Sequence, residues 1–550
     1  MKPMRQFSTR DVVDFIVIGA GAAGGVVASE LAKAGFQTVV LEQGPWLQPE
    51  DFAHDEVAVM NRAGIINNHK VQPNTFRRTP EETARVQPVV EYAKLVGGGS
   101  VHFTTNYWRF HPDDFRERSL LGGVAGADLQ DWPITYDELE PYYTKAEWEL
   151  GISGLGGSNP FDGPRSKPYP LPPLPAKSSG VLFDRAAAKL GLHSFPAPLA
   201  VLSQPYRGRT ACTNCGFCEA FGCEMGAKSS TLAAVIPGAA ATGNCEIRPN
   251  SYVQKIETDD RGRASAVVYF DSQRRTVRQR ARAVVVCANG AETPRLLLLS
   301  ANKQHPNGLA NSSGAVGKYL MFDTGLMASG VMDKPLNEYK GVVVSRVLHD
   351  YYASDPKRGF YGGAGLDARF DLYPAGFALD GTPKTEPQWG SEWKRNIGHR
   401  FTRMMGVLSH TSCLAMEQNS ITLDPAVKDA WGLPAMRVTF RNHADDLKTM
   451  RFAGERQREM LEAVGAKTIS IDPVVDVTYS RHLMGTCRMG NDPRTSVVDR
   501  WNRSHDVRNL FVVDGSSLVT SARQQPTATI QALAFRASEY MAQAARRGDL

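Results

Sequence analysis

The chain lacks any long apolar run. Its most hydrophobic stretch, residues 15–28, is interrupted by glycines and stops at Ser29 and Glu30, short of the roughly 20 apolar residues a membrane-spanning helix needs. Residues 1–11 carry basic side chains with no apolar segment behind them, so they do not read as a secretory signal. Charge of one sign is also scarce. Lys+Arg 63 against Asp+Glu 57 gives a net charge of +6 over 550 residues, too dilute for a nucleic-acid surface, and no basic run concentrates it. Hydrophobic residues at 42% and charged residues at 22% exclude a mainly disordered chain. A prior of roughly 150 residues per domain allows three or four units. No internal repeat or low-complexity linker is visible, and the proline-rich residues 168–175 read as an extended surface connection.

Cysteine is sparse too. The eight cysteines are not spread as a disulfide framework would require. Four of them, Cys212, Cys215, Cys218 and Cys223, fall in one short segment spaced C-x2-C-x2-C-x4-C. This is close to the bacterial ferredoxin run, with one extra residue before the last cysteine. Thiolate is the soft ligand that iron–sulfur chemistry uses. Four thiolates also satisfy tetrahedral zinc, although zinc ligands usually come as two separated pairs. Cys245, Cys287 and Cys413 stand alone and read as small buried apolar residues.

The N-terminus carries a more specific pattern. Residues 14–18 form a strand-like apolar run, followed at once by Gly19-Ala20-Gly21-Ala22-Ala23-Gly24, a helical stretch, a second apolar run and Glu42. Gly19 permits the tight turn, Gly21 allows backbone to approach a pyrophosphate, and Gly24 lets the helix pack on the strand. The helix N-terminus offers unpaired N–H groups to phosphates, and Glu42 can accept from ribose hydroxyls. Downstream, a Gly97-Gly98-Gly99 cluster precedes Ser100 and His102. Near the C-terminus His482 precedes a glycine-rich turn, Asp514-Gly515 follows an apolar run, and Gln525-Pro526-Thr527 opens a helix. No second dinucleotide fingerprint is present, which argues against an NAD-dependent dehydrogenase.

Taken together and in this order, these segments resemble the glucose–methanol–choline (GMC) flavoprotein oxidoreductases over nearly the whole chain. The residues that carry the likeness are the glycine turn with Glu42, residues 97–108, residues 288–295, the His482 turn, the Asp514-Gly515 turn and the Gln525-Pro526 helix start. The cysteine segment narrows it to the large subunits of bacterial FAD-dependent sugar dehydrogenases of the fructose, glucose and gluconate 2-dehydrogenase type. The resemblance implies an α/β plus α+β architecture, the GMC fold, in which a Rossmann-like FAD-binding domain is interleaved with a sheet-plus-helix substrate domain. The implied division is residues 1–120 (first FAD segment), 121–204 (connecting, substrate-side), 205–230 (cysteine-rich loop), 231–329 (middle FAD segment), 330–477 (substrate domain) and 478–550 (FAD and catalytic segment).

It also implies residue roles. FAD would be held by Gly19, Gly21, Gly24, Glu42, Gly98, Ser100, His102, Val253, Asp514, Gly515, Pro526 and Thr527. His482 matches the family's catalytic base, an imidazole suited to proton transfer near neutral pH. The family places Asn or His where this chain has Gln525, one methylene longer than Asn, so Gln525 or its neighbour Gln524 is expected to hold the substrate hydroxyl. Residues 100–103 are similar to the segment of pyranose 2-oxidase whose histidine is bonded to the flavin 8α-methyl, so His102 is expected to carry FAD covalently. The relatives' cluster is [3Fe-4S]; Cys212, Cys218 and Cys223 match its ligands best, with Cys215 a fourth candidate. The expected reaction is oxidation of a sugar, glycoside or sugar-acid hydroxyl, with electrons passing to a cytochrome c type acceptor. A small companion subunit would carry the export signal to the periplasm; without it a cytoplasmic enzyme is the alternative. Three rival readings stand beside this one. They are glucoside 3-dehydrogenase regiochemistry, an oxygen-using GMC alcohol or pyranose oxidase, and a zinc-stabilised flavin-binding sensor without turnover.

Overall fold

The computed structural model describes residues 5–60, 65–382, 386–477 and 479–550. The first strand, Val12–Ile18, leads through the glycine turn into the helix Gly24–Lys33 and back to a parallel strand, Thr38–Leu41. Val13, Phe15, Ile16 and Val17 are all buried, so this strand reads as a continuous apolar run, as a parallel strand covered on both faces must. The seven-stranded sheet runs Cys245–Arg248, Thr38–Leu41, Val12–Ile18, Thr276–Val286, Ala264–Phe270 and Tyr252–Thr258, with Leu510–Val512 also paired to Thr276–Val286. Its first four strands and Leu510–Val512 are parallel, while the Ala264–Phe270 and Tyr252–Thr258 pairings are antiparallel. Strands from the start, middle and end of the chain thus share one sheet. The C-terminal helix Thr527–Arg547 packs on both Gly24–Lys33 and Tyr136–Leu150. Arg546 and Arg547 lie in its last turn, where cations oppose the helix dipole, and Gly548 closes it in the left-handed region.

A six-stranded antiparallel sheet lies beside this unit, in the order Thr468–Ile471, Met327–Val331, Met404–Thr411, Ala364–Arg369, Val344–Leu348 and Ser194–Pro196. Helices Ser178–Leu190 and Ala444–Ala463 cover one face. The strand period of two decides what the other face presents. Ala364, Leu366 and Ala368, with Met405 and Val407, pack toward the helices. The intervening residues, including Asp367, Arg369 and His410, therefore face the opposite way. A separate four-stranded sheet joins Asn74–Arg77 and Arg85–Val86 to Ser420–Lys428 and Pro434–Thr439. The short antiparallel pair Met321–Phe322 and Leu483–Met484 matters most for the site. Its register sets Phe322 against Leu483, so the next residues outward, Asp323 and His482, face one another. Among the described residues no helix is long and apolar enough to cross a membrane.

Candidate active site

The glycine segments are shaped by contact. Gly19 has φ +96°, and a Cβ there would lie 2.4 Å from the Cys287 carbonyl oxygen. A Cβ on Gly24 would lie 1.9 Å from the Gly19 oxygen, which seats the helix directly against the turn. Gly98, at φ +54°, would drive a Cβ to 2.5 Å from Gly21 Cα, whereas a Cβ on Gly21 would meet nothing nearer than 3.7 Å. The two glycine segments approach backbone to backbone, tied by Gly97 N–H donating to Ala20 O at 2.9 Å, while Gly21 stays open to the cavity beside it.

That cavity has a volume of ≈840 Å³, within the range of small-molecule sites. It is lined by Gly19, Gly21, Glu42, Gly98, His102, Val253, Asp514, Gly515, Pro526 and Thr527 together with His482 and Gln525. Gly24 and Ser100 are not on its wall. Gly24 acts through helix packing, and the Ser100 hydroxyl donates to Gly97 O at 2.7 Å and accepts from Thr231 N at 3.1 Å. Gln524 is turned away as well, its amide nitrogen donating to Arg109 O. Glu42 accepts from Ala20 N and Gly44 N, each at 2.9 Å, and burial pushes its carboxyl up to about 7. Each of its oxygens keeps a lone pair for a ribose hydroxyl. Ser251 N donates to Glu42 O at 2.8 Å, which draws the Val253 segment to the same end. Asp514 accepts from Asn289 N, Thr293 Oγ1 and Ser516 N at 3.1, 2.5 and 2.8 Å, clamping the turns around it. Burial, followed by the charges of Lys228 and Arg481, pushes the His102 imidazole down to about 3, so it is neutral. These groups fit a dinucleotide: an open glycine, acceptors for ribose and a neutral imidazole on one continuous wall.

The reacting end combines predicted residues with ones the sequence did not disclose. His482 Nδ1 lies 2.7 Å from Asp323 Oδ2. The same oxygen is 3.3 Å from His410 Nδ1, and His410 Nε2 is 3.0 Å from Asp367 Oδ2. Asp367 in turn receives both Nε and Nη2 of Arg369 at 2.7 Å. Burial disfavours ionised Asp323, but His482 and His410 outweigh it and hold the carboxyl well below the usual range. Burial likewise disfavours charge on His410, and its two carboxylates overcome this and raise it. The Gln525 amide nitrogen sits 2.7 Å from His410 Nε2, and its buried Oε1 has no partner among the described residues. Sequence reasoning missed Asp323, His410, Asp367 and Arg369. The available signal was ionisable residues on the off-beat of otherwise apolar strands.

The cysteine loop abuts this region. Ala220 N–H donates to His102 O at 2.9 Å. The buried Lys228 ammonium donates to Phe103 O, Cys218 O and Phe221 O at 3.1, 2.6 and 2.8 Å. Cys218 is buried, Cys212 and Cys223 are half-buried, and Cys215 is exposed. Burial pushes the Cys218 thiol up to about 12, and the charges of the other three cysteines add to the effect, so all four sulfurs share one neighbourhood. They do not form a closed ligand cage: among the described residues no group of three or more His, Cys, Asp or Glu side chains is placed to hold one metal ion. Cys218 instead packs with Trp108 and Phe195, as a protonated thiol does. The donor chemistry suits an iron–sulfur centre, but the expected ligand set is not assembled: the four cysteines as arranged do not enclose one. Cys245, Cys287, Cys413 and Cys487 are buried.

Comparison with known proteins adds four findings. The description GMC oxidoreductase matches residues 13–324 and again residues 415–534. The chain is 36% identical over 544 residues to 2-methyl-1,2-propanediol dehydrogenase of Mycolicibacterium austroafricanum, covering 97% of this chain and 96% of that protein. It is 30% identical over 549 residues to the fructose dehydrogenase large subunit of Gluconobacter japonicus, covering 96% and 97%. The fold alone is shared with formate oxidase of Aspergillus oryzae, at TM-score 0.67, 15% identity and coverage of 99% and 100%.

Proposed function

The chain belongs to the GMC oxidoreductase family and is an oxidoreductase of CH–OH donors with the family's FAD-binding fold; on that premise we propose that it is an FAD-dependent dehydrogenase of a polyhydroxylated substrate, a sugar, glycoside or sugar acid. The observation that carries this reading is the His482–Asp323 pair on the wall of the glycine-floored cavity. Asp323 accepts the Nδ1 proton of His482, which fixes the tautomer and leaves Nε2 as the acceptor for the substrate's hydroxyl proton. Gln525 is placed to hold the substrate oxygen. When bound, FAD supplies the acceptor for the hydride that leaves the substrate carbon. The related proteins named above act, by their names, on a 1,2-diol and on fructose, compounds with adjacent hydroxyls. Anaerobic titration of the purified protein with diols, sugars, sugar acids and glycosides is expected to bleach the flavin with at least one of them. A flavin that none of them reduces removes the substrate assignment.

The proposal extends to the route out. Cys212, Cys218 and Cys223, with Cys215 as a fourth candidate, would hold a [3Fe-4S] centre. Such a centre would supply one-electron transfer to a cytochrome c type acceptor. Support comes from the loop's direct hydrogen bond to the His102 carbonyl and from a relative named as one subunit of a larger enzyme. A small companion subunit carrying the export signal, and a periplasmic location, belong to the same reading. An oxidase that hands its electrons to oxygen needs no cysteine loop of this kind.

His102 faces the cavity as a neutral imidazole, which is a competent nucleophile. Its bond to the flavin is expected to survive denaturation. Mass spectrometry of the unfolded chain should show the mass of one attached FAD, lost in H102A. An unmodified mass for the wild-type chain rejects the bond.

A further inference from the structure

The geometry points to His410 as a positioning residue: a doubly protonated imidazole pinned between Asp323 and Asp367, which orients His482 through Asp323 and decides which end of the Gln525 amide meets the substrate. The inference rests on the reaction proposed for this cavity, and it begins with proton counting. Both ring nitrogens of His410 face a carboxylate oxygen, Asp323 Oδ2 at 3.3 Å and Asp367 Oδ2 at 3.0 Å. A neutral imidazole has one N–H, so its second nitrogen would aim a lone pair at an anion. Arg369 Nη2 at 3.5 Å and the Gln525 amide at 2.7 Å also face Nε2; a neutral ring accepting from them would leave its lone pair against Asp367, whereas the doubly protonated ring satisfies both carboxylates.

The groups packed around it agree. Asp323 comes from the short strand pair beside His482. Asp367 and Arg369 come from the neighbouring strand, joined by a two-point ion pair. The Trp108 ring stands edge-on at 5.7 Å. Behind it His349 is held neutral, by burial first and then by His111 and His410. A cation at His410 thus stands between Asp323 and Asp367, while Arg369 pairs with both Asp367 and, at 3.6 Å, Asp371.

Gln525 then has one sensible orientation. With its nitrogen toward His410 Nε2, two donors meet at 2.7 Å while the buried Oε1 has no partner. Amide ends are assigned from the hydrogen-bond network. Turning the amide lets Oε1 accept the Nε2 proton that Asp367 shares, and puts the NH2 group where the buried carbonyl oxygen stood, on a side chain that lines the cavity. The substrate oxygen would therefore meet a donor at Gln525 and an acceptor at His482, the pairing that favours negative charge developing on that oxygen. His410 supplies from the substrate-side sheet what the longer Gln525 side chain needs to adopt a defined pose.

Two measurements test this on the FAD-loaded enzyme. Nuclear magnetic resonance of protein labelled with 15N-histidine needs no substrate. It should show both His410 nitrogens protonated across the neutral range, with the signals absent from H410Q. The pH profile of flavin reduction, by whichever alcohol bleaches the wild type, is the second. In H410Q the negative charge of Asp323 acts on His482 unopposed. The acid limb of the profile should then move up by about one pH unit, a tenfold loss of rate below it. D367N serves if H410Q does not bind FAD. It keeps the ring but removes one carboxylate, so one His410 nitrogen should lose its proton as pH rises and regain it on acidification, read by the same resonances. A single protonated nitrogen at His410 overturns the proposal, and so does a loss of rate that is equal at every pH. If no alcohol reduces the flavin, the functional reading fails by itself and the resonance result still decides the state of His410.

Discussion

H482A is expected to lower kcat/KM for the best alcohol by about three orders of magnitude, the middle of the range for removing a general base, while leaving FAD bound. His482 is not a core residue: its side chain is 30% exposed, and among the described residues its hydrogen-bonded side-chain partner is Asp323. The loss should therefore appear in the rate of anaerobic flavin reduction and not in the flavin content. D323N should cost nearly as much for a different reason. An amide nitrogen facing Nδ1 would donate, push the imidazole proton to Nε2 and remove the acceptor from the substrate side. Asp323 also anchors His410, so the double variant should cost little more than either single one, because the residues act as a unit. Stopped-flow flavin bleaching in the three variants settles the matter. A wild-type rate in H482A would remove His482 from the mechanism.

The parts legible in the sequence are those set by local chemistry. Gly19, Gly21 and Gly24 announce themselves because each answers a steric demand within a few residues, and Glu42 closes the same strand–helix–strand unit. His482 and Gln525 were visible because each sits beside a turn or helix start. Asp323, His410, Asp367 and Arg369 were not, because their meaning depends on pairings that the local pattern does not state. Asp323 meets His482 only through a two-residue strand pair formed across 159 positions. His410 meets Asp367 only through the register of two substrate-side strands. Ser100 shows the converse. Its place after the glycine cluster suggested a cofactor contact, but its hydroxyl is consumed by Gly97 O and Thr231 N. A residue type next to a motif does not fix which way the side chain turns. The cysteine spacing likewise grouped four thiols in one loop, but among the described residues the fold does not close them on a common centre.

That last point gives the second large effect. On the proposed reading of the cysteine loop, C212S, C218S and C223S should each strip iron and acid-labile sulfide from the protein and abolish its paramagnetic signal. Reduction of cytochrome c by the alcohol-loaded enzyme should fall to background. Anaerobic bleaching of the flavin by the same alcohol should persist, because the His482–Asp323 end of the cavity contains no cysteine. C215S separates three ligands from four. Cys215 is exposed, whereas Cys218 is buried and Cys212 and Cys223 are half-buried, so C215S should keep its iron if three thiolates suffice. Burial disfavours the thiolate forms of Cys212 and Cys218, so a metal centre bound by this loop would have to supply the positive charge that ionises them. Zinc without iron, in colourless protein that still turns over with an artificial two-electron acceptor, would replace the electron relay with a structural staple. Iron and sulfide retained in all four variants would place the centre elsewhere and detach this loop from electron transfer.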